Sequence, residues 1–383
     1  MTNRHPVLTG DALNRATLAR QLLLEPATGM DAVEAVERIG ALQAQEPASP
    51  YVALWTRLAD FDPAALRAAF ADHRLVKGTL MRVTVHAVSR RDYRHYLPAV
   101  LPMLRAVRRW DPPGVEAAPI EAAAAALLEF AREPRTGVEL RDEAGRLTGA
   151  PGEEAWWRIR RHVPFLHVPA DLPWSFGPRS RLIDARRPLG GETLASEEQG
   201  TVHLARRYLA AFGPASLADM GNWSGLTVTR LRPATSALDA AGVLARFQDE
   251  AGRELLDLHD APRPDAATPA PPRFLPMWDS LLLAHADRTR VLPAAYRPAV
   301  IGRNGDVLPT FLVDGRVAGL WWPERDAATT RIVLEPFGTL SRRDRRALDA
   351  EGARLAEFLG PREPGAFGRY RRSRARRFSP TGR

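Results

Sequence analysis

A run of helical segments gives way to strand-forming residues at Leu75, and this order constrains the fold more than any other feature of the chain. Residues 75–88 carry Thr79, Val83, Thr84, Val85 and Val88 around Met81-Arg82, the residue types that suit strands. What precedes them reads as helix. Leu8-Thr9-Gly10-Asp11 offers a start with Thr9 or Asp11 as N-cap, followed by Leu13, Leu18 and Leu22. Asp31 can cap a second helix over residues 32–42, whose apolar stripe is Val33, Val36, Ile39 and Leu42. Shorter helices fit residues 51–58 and 63–71.

Helices followed by a hairpin outline a winged helix, a common DNA-binding module, and the outline recurs. Helices are expected over 120–132 and 154–161, then a wing-like hairpin over 166–182 with Trp174 and Phe176. A third start covers 201–212, Ser216 opens a further helix, 229–240 takes a recognition-helix position, and 242–258 alternates as a hairpin with Gly252 at its turn. Residues 260–273 form a linker dense in Pro and Ala. Beyond it, 300–334 is strand-rich, with hairpin turns at Asn304-Gly305 and Asp314-Gly315, and 342–359 is a closing helix. The expected fold class is α+β: three tandem winged helices over residues 1–112, 113–195 and 196–262, a small antiparallel β-barrel over 263–360, and a basic tail over 361–383.

Composition narrows the function. The chain has 383 residues, no cysteine and a net charge of +9, and Lys77 is its only lysine. No disulfide framework or thiolate metal site is available, and no His/Asp/Glu spacing reads as a metal centre, so neither metal nor cofactor is expected. No stretch approaches the roughly 20 apolar residues that span a bilayer, and the first residues lack a secretory h-region. A soluble cytoplasmic monomer, associated with nucleoid DNA, is the expectation. Arginine dominance partly reflects base composition of the coding sequence, yet a positive surface attracts polyanions and the guanidinium fork suits phosphate. A Schiff-base lyase step would rest on Lys77 alone, and none is expected.

Gln43-Ala44-Gln45 is the most unusual candidate site. Glutamine neither titrates near neutrality nor attacks as a nucleophile, so such a pair serves chemistry only by holding a water or a charge. Residues two apart on an ideal helix lie about 200° apart. Both amides therefore meet one water only if the helix ends beside them, as Pro47 would encourage.

Five segments in order resemble the AlkZ/YcaQ family of winged-helix DNA glycosylases. They are Ile39-Gly40-Ala41-Leu42-Gln43-Ala44-Gln45, Gly78-Thr79-Leu80-Met81-Arg82-Val83-Thr84-Val85-His86, Leu275-Pro276-Met277-Trp278-Asp279-Ser280-Leu281-Leu282-Leu283, Ala286-Asp287-Arg288-Thr289-Arg290, and Phe311-Leu312-Val313-Asp314-Gly315-Arg316-Val317-Ala318-Gly319. The resemblance implies three winged helices and a barrel forming a basic cleft around duplex DNA. It implies hydrolysis of the N-glycosidic bond of alkylated purines, including bulky N7-alkylguanine adducts and interstrand crosslinks. It makes Gln43 and Gln45 the catalytic pair of a Gln-apolar-Gln motif, and places Thr84, His86 and Arg82 at the lesion or DNA. Val83 departs from the pattern, which has glycine there. N7 alkylation makes the base a cationic leaving group, so no general acid is needed, and two amide oxygens can orient water toward the sugar C1′.

Other readings stay open. Asp279 and Asp287 are possible general bases, or they pair with Arg288 and Arg290 to tie barrel to linker. Trp322 is a possible wedge beside a lesion, or it packs the barrel. The whole chain could be a non-catalytic winged-helix DNA-binding protein, either a regulator or a lesion-recognition factor.

Overall fold

The computed structural model describes residues 5–106, 117–177, 179–325 and 329–362. The chain opens with β1 (Val7–Leu8), α1 (Gly10–Arg20) and α2 (Ala32–Arg38). Both helices start where the sequence offers a cap: Thr9 Oγ1 accepts from Ala12 N at 3.2 Å, and Asp31 from Glu34 N at 2.8 Å. α2 stops at Arg38, short of the expected Leu42. Gly40, at φ +89°, turns the chain out of the helix. A Cβ there would sit 3.2 Å from Ala211 Cβ, so the turn is also a close approach to a distant segment.

Leu42–Gln43 then forms β2, followed by α3 (Ser49–Trp55), α4 (Pro63–Ala71), β3 (Leu75–Thr79), β4 (Val85–Ser89) and α5 (Arg90–Ala106). The next stretch holds α6 (Ala117–Phe130), α7 (Gly137–Thr148), α8 (Gly152–Ile159), β5 (Phe165–His167) and β6 (Leu182–Asp184). Then come α9 (Glu197–Phe212), α10 (Leu217–Ser224), α11 (Val228–Ala240), β7 (Leu244–Asp249) and β8 (Glu254–Leu258). The final part contains β9 (Arg273–Leu275), α12 (Arg297–Val300), β10 (Thr310–Val313), β11 (Arg316–Arg325), β12 (Thr330–Pro336) and α13 (Arg342–Leu359).

An antiparallel sheet in the order β2-β4-β3-β5-β6 joins strands from either side of residue 113, through the pairing of Gly78 with Leu166. Gly78 is required there: a Cβ would lie 3.1 Å from Leu166 Cδ2 and 3.2 Å from Phe165 O. A second sheet, β1-β7-β8, brings the N-terminus in parallel alongside β7. The third is β12-β11-β10-β9, and it is open. Among the described residues no closed barrel forms: β9 and β12 are outer strands, contrary to the expected barrel. Strands β9, β10 and β11 carry the sheet's buried residues. α13 lies over the sheet, with Gly352 against Ile332 and Phe274. Trp321, Trp322, Phe311 and Leu312 join the apolar core that contains Val36, Leu54 and Phe70 of the N-terminal helices. Further cores lie among α5, α9, α10 and α11, and among α6, α7 and α8.

Buried ion pairs lock distant parts of the chain together. Arg20 of α1 grips Asp257 of β8 with two hydrogen bonds, at 2.6 and 2.8 Å. Arg57 grips Asp279 likewise, at 2.8 and 2.9 Å, both side chains being almost wholly buried. Such bidentate pairs satisfy their own desolvation only as pairs; removing one partner costs about 3–5 kcal/mol. The basic tail from residue 363 onward lies outside the described residues.

Candidate active site

The glutamine triplet spans the end of a strand, not of a helix: Gln43 closes the two-residue β2, and Ala44 and Gln45 follow it. β2 pairs with β4 so that Leu42 faces Ala87 and Gln43 faces His86, and Ala44 N continues the pairing by donating to Val85 O at 2.8 Å. In an extended chain, residues two apart point to the same face. The side chains of Gln43 and Gln45 are therefore neighbours, and Gln43 Nε2 donates to Gln45 Oε1. An ideal helix would have separated them, and the expectation from sequence relies on a helix end to bring them together; the extended chain that leaves β2 does so directly. Directly opposed residues of an antiparallel pair share a face, so His86 lies on this side too, with Gly78 beyond it on β3.

Arg82 fixes the pair. Its Nη2 donates to Gln43 Oε1 at 2.7 Å, and Nη1 donates to the carbonyl of Trp223, at the end of α10. A guanidinium has no acceptor, so it dictates which end of the Gln43 amide faces it. The Gln43 NH2 must then point at Gln45, whose oxygen must face back. One cation thus sets the orientation of two neutral amides, and its polarisation strengthens the second hydrogen bond. Burial, with Arg288 nearby, lowers the Arg82 pKa to about 10, which leaves it charged at neutral pH.

The backbone that aims Arg82 is strained. Arg82 and Val83 lie at φ +52° and +59°, a left-handed conformation that costs non-glycine residues energy and a β-branched residue most. Position 83 is where the sequence departs from the expected glycine, and the left-handed φ gives the reason for that glycine. Thr84 closes the turn, its hydroxyl donating to Met81 O at 3.0 Å. The carbonyl of Thr84 lies 3.0 Å from His86 Nδ1. His86 is 1% exposed. Burial first, and the Arg82 charge second, push its pKa down to about 3, so the ring is neutral at pH 7. With Nδ1–H donating to the Thr84 carbonyl, Nε2 is an acceptor, and it is buried without a partner.

The other candidates lie elsewhere. Asp279 is 3% exposed and held by Arg57, not by Arg288 or Arg290. Asp287 pairs with Arg253 at 3.1 Å, while Arg290 donates to the Pro214 carbonyl at 3.0 Å. Trp322 is 2% exposed within the apolar core, opposite Val333 on β12. Lys77 faces Ala87 across β3–β4, one residue out of phase with His86, and so lies on the opposite face of the sheet from the glutamines. Its ammonium sits 4.4 Å from the centroid of Phe176, and burial lowers its pKa to about 8 against the opposing pull of Glu46. The sequence did not reveal the Trp223 carbonyl as the second anchor of Arg82. The signal was Gly225, at φ +82°, where a Cβ would approach Arg82 N to 3.2 Å. Among the described residues no cluster of three or more potential metal ligands occurs, and no helix is long and apolar enough to cross a membrane.

The family described as DNA glycosylase AlkZ-like matches residues 36–358. The chain belongs to the AlkZ-like DNA glycosylase family. An interstrand DNA cross-link repair glycosylase of Streptomyces sahachiroi is 29% identical over 159 residues, which span 40% of this chain and 42% of that protein. The matched segment thus covers less than half the length of that relative. The structure of the Streptomyces sahachiroi DNA glycosylase AlkZ superposes with a TM-score of 0.76 at 22% identity, covering 92% of this chain and 97% of that one. This likeness shows that the fold of the AlkZ-like family extends across nearly the whole chain.

Proposed function

We propose that this protein is a monofunctional DNA glycosylase that hydrolyses the N-glycosidic bond of alkylated purines, N7-alkylguanine foremost, in duplex DNA. The observation that carries the reading is the Arg82–Gln43–Gln45 chain: two neutral amides oriented by a half-buried cation, the first of them on a short strand opposite a neutral histidine. In this reading the remaining lone pair of Gln45 Oε1 accepts from the attacking water, which His86 Nε2 can also meet. The amide oxygens present partial negative charge to the cationic sugar. No general acid is required, because alkylation has already made the base a good leaving group. Bulky adducts and interstrand crosslinks pose the same chemistry at C1′, and membership of the family together with the named Streptomyces relative supports including them.

Lys77 supports the absence of a lyase step, since its amine faces the opposite side of the sheet from the glutamines. The helices α9, α10 and α11 followed by the hairpin β7–β8 support reading this unit as a winged helix. The shared sheet β2-β4-β3-β5-β6 supports reading the two preceding units as winged helices docked wing to wing.

The test is incubation with duplex DNA carrying an N7-alkylguanine, followed by alkaline cleavage at abasic sites. The expected result is strand cleavage by the unaltered protein and its loss in Gln43→Ala and Gln45→Ala. Cleavage undiminished in both variants would remove the mechanism. Tight binding to one undamaged sequence without excision would replace the enzyme by a DNA-binding regulator.

A further inference from the structure

A cavity lies beyond the strained turn. It measures about 180 Å³ and is bordered by Thr79, Val83 and Val85 of the first hairpin, Leu97 and Leu101 of α5, and by Trp156, Arg160 and His167. Sites for drug-sized ligands run to roughly 300–1,000 Å³, so this one suits a single ring system. Thr79 and Val85 pair across β3–β4, out of phase with His86, so they face away from the glutamines.

Its polar groups want an acceptor. Arg160 forms no hydrogen bond or ion pair among the described residues. Its guanidinium stacks instead on two indoles, 4.6 Å from the centroid of Trp157 and 5.6 Å from that of Trp156. Glu153, whose charge acts on Arg160, is engaged by Trp157 Nε1 at 2.8 Å and by Arg141 at 3.3 Å. His167 Nδ1 is buried without a partner. Burial lowers the pKa of Arg160 against an opposing pull from Glu153, and burial together with Lys77 and Arg160 holds His167 well below its ordinary value. A half-buried guanidinium fork left unsatisfied beside an apolar, aromatic-walled space matches one kind of ligand.

We propose that this cavity is a second ligand site, which takes a planar ring bearing a carboxylate or phosphate. The ring lies against Leu97, Leu101 and Trp156, and its anionic group meets Arg160 with His167 donating. Two sources supply such a group: an unstacked nucleotide of bound DNA, or a free aromatic carboxylate.

Calorimetric titration of the full chain with 2′-deoxyguanosine 5′-monophosphate, benzoate and uncharged deoxyguanosine tests this. At least one of the two anions should bind saturably, and at least tenfold more tightly than deoxyguanosine. Arg160→Ala, and Leu101→Trp to fill the space, should each weaken that binding tenfold or more, while Gln43→Ala leaves it unchanged. Preference for the nucleotide identifies DNA as the source; preference for benzoate identifies a small carboxylate. Thermal unfolding of both variants checks their folding, and Leu101→Trp decides if Arg160→Ala does not fold. The site is overturned if neither anion binds, if deoxyguanosine binds equally well, if the folded variants keep full affinity, or if Gln43→Ala abolishes binding.

Discussion

The hairpins β3–β4 and β7–β8 are built from similar sequence patterns and handle their turns in opposite ways. In β7–β8 the turn is exposed and the left-handed position belongs to Gly252, at φ +77°, where a Cβ would meet nothing within 4 Å. Asp249 Oδ1 accepts from Ala251 N at 3.0 Å and Arg253 N at 2.8 Å, and the turn closes on itself. In β3–β4 two consecutive non-glycine residues, Arg82 and Val83, hold left-handed conformations, and the arginine is turned inward. The first turn is a relaxed reversal. The second carries strain that the Gln43 and Trp223 contacts offset, which is the pattern expected where the backbone must aim a side chain.

This contrast can be broken or sharpened experimentally. The largest effect belongs to the amides that the strained hairpin orients: Gln45→Ala should lower single-turnover excision by about 10²–10³-fold, the range for loss of an oriented polar group at a reacting centre. Arg82→Ala should cost about 10–100-fold through misoriented amides, a loss of about 1.4–2.7 kcal/mol. Arg82→Lys should recover little, because one ammonium cannot serve both acceptors in the guanidinium geometry. In the relaxed hairpin Arg253→Ala should leave the rate unchanged; an equal loss there would erase the distinction.

A smaller effect separates the two turns by sign. Val83→Gly relieves a left-handed β-branched residue and should stabilise the protein by up to about 1 kcal/mol in chemical denaturation, whereas Gly252→Ala should destabilise it by about 1 kcal/mol. Equal signs would mean that the strain at Val83 is not stored. The smallest expected effect is on rate with pH. His86 titrates at about 3 in the folded chain, far below its ordinary value of 6.5, so excision should vary little between pH 6 and 8. A bell-shaped profile there would assign an acid or base to the site. Stability behaves differently. Because the folded pKa is depressed, the contribution of His86 is complete above pH 6.5 and is lost as pH falls from there toward 3, and His285, also lowered to about 3, adds to it. Melting temperatures measured from pH 7.5 downward should therefore fall below pH 6.5, and less steeply in His86→Asn.

Much of the secondary structure was legible because local chemistry decides it. Thr9, Asp31 and Ser216 cap helices where their hydroxyl or carboxylate reaches free backbone donors, and Pro63–Ala71 and Arg342–Leu359 match their apolar pattern. Three helices went unread, among them the four-residue α12. Pro98 and Pro102 disguise α5, although Tyr93, Leu97, Val100 and Leu104 mark its buried face, and the Thr136–Glu139 capping box announced α7. The expected end of α2 failed because apolar spacing continues through Leu42, while Gly40 ends the helix by a conformation that pattern alone does not show. Among the described residues the sheet stays open, and it packs with α13 and with N-terminal helices remote in sequence, contacts that strand patterning alone does not show.

The sequence by itself determined the residue types of the candidate site: two glutamines two apart, and an arginine and a histidine on one hairpin, with no acid among them. It determined the family as well, since five short segments in fixed order are a property of the chain. Only the tertiary structure decided that the glutamines share a face, because that follows from pairing Gln43 with His86 across strands far apart in sequence. It also decided that Arg82 orients them and that Asp279 belongs to Arg57. Such pairings depend on which donors and acceptors burial leaves without water, and that is settled only when distant segments meet.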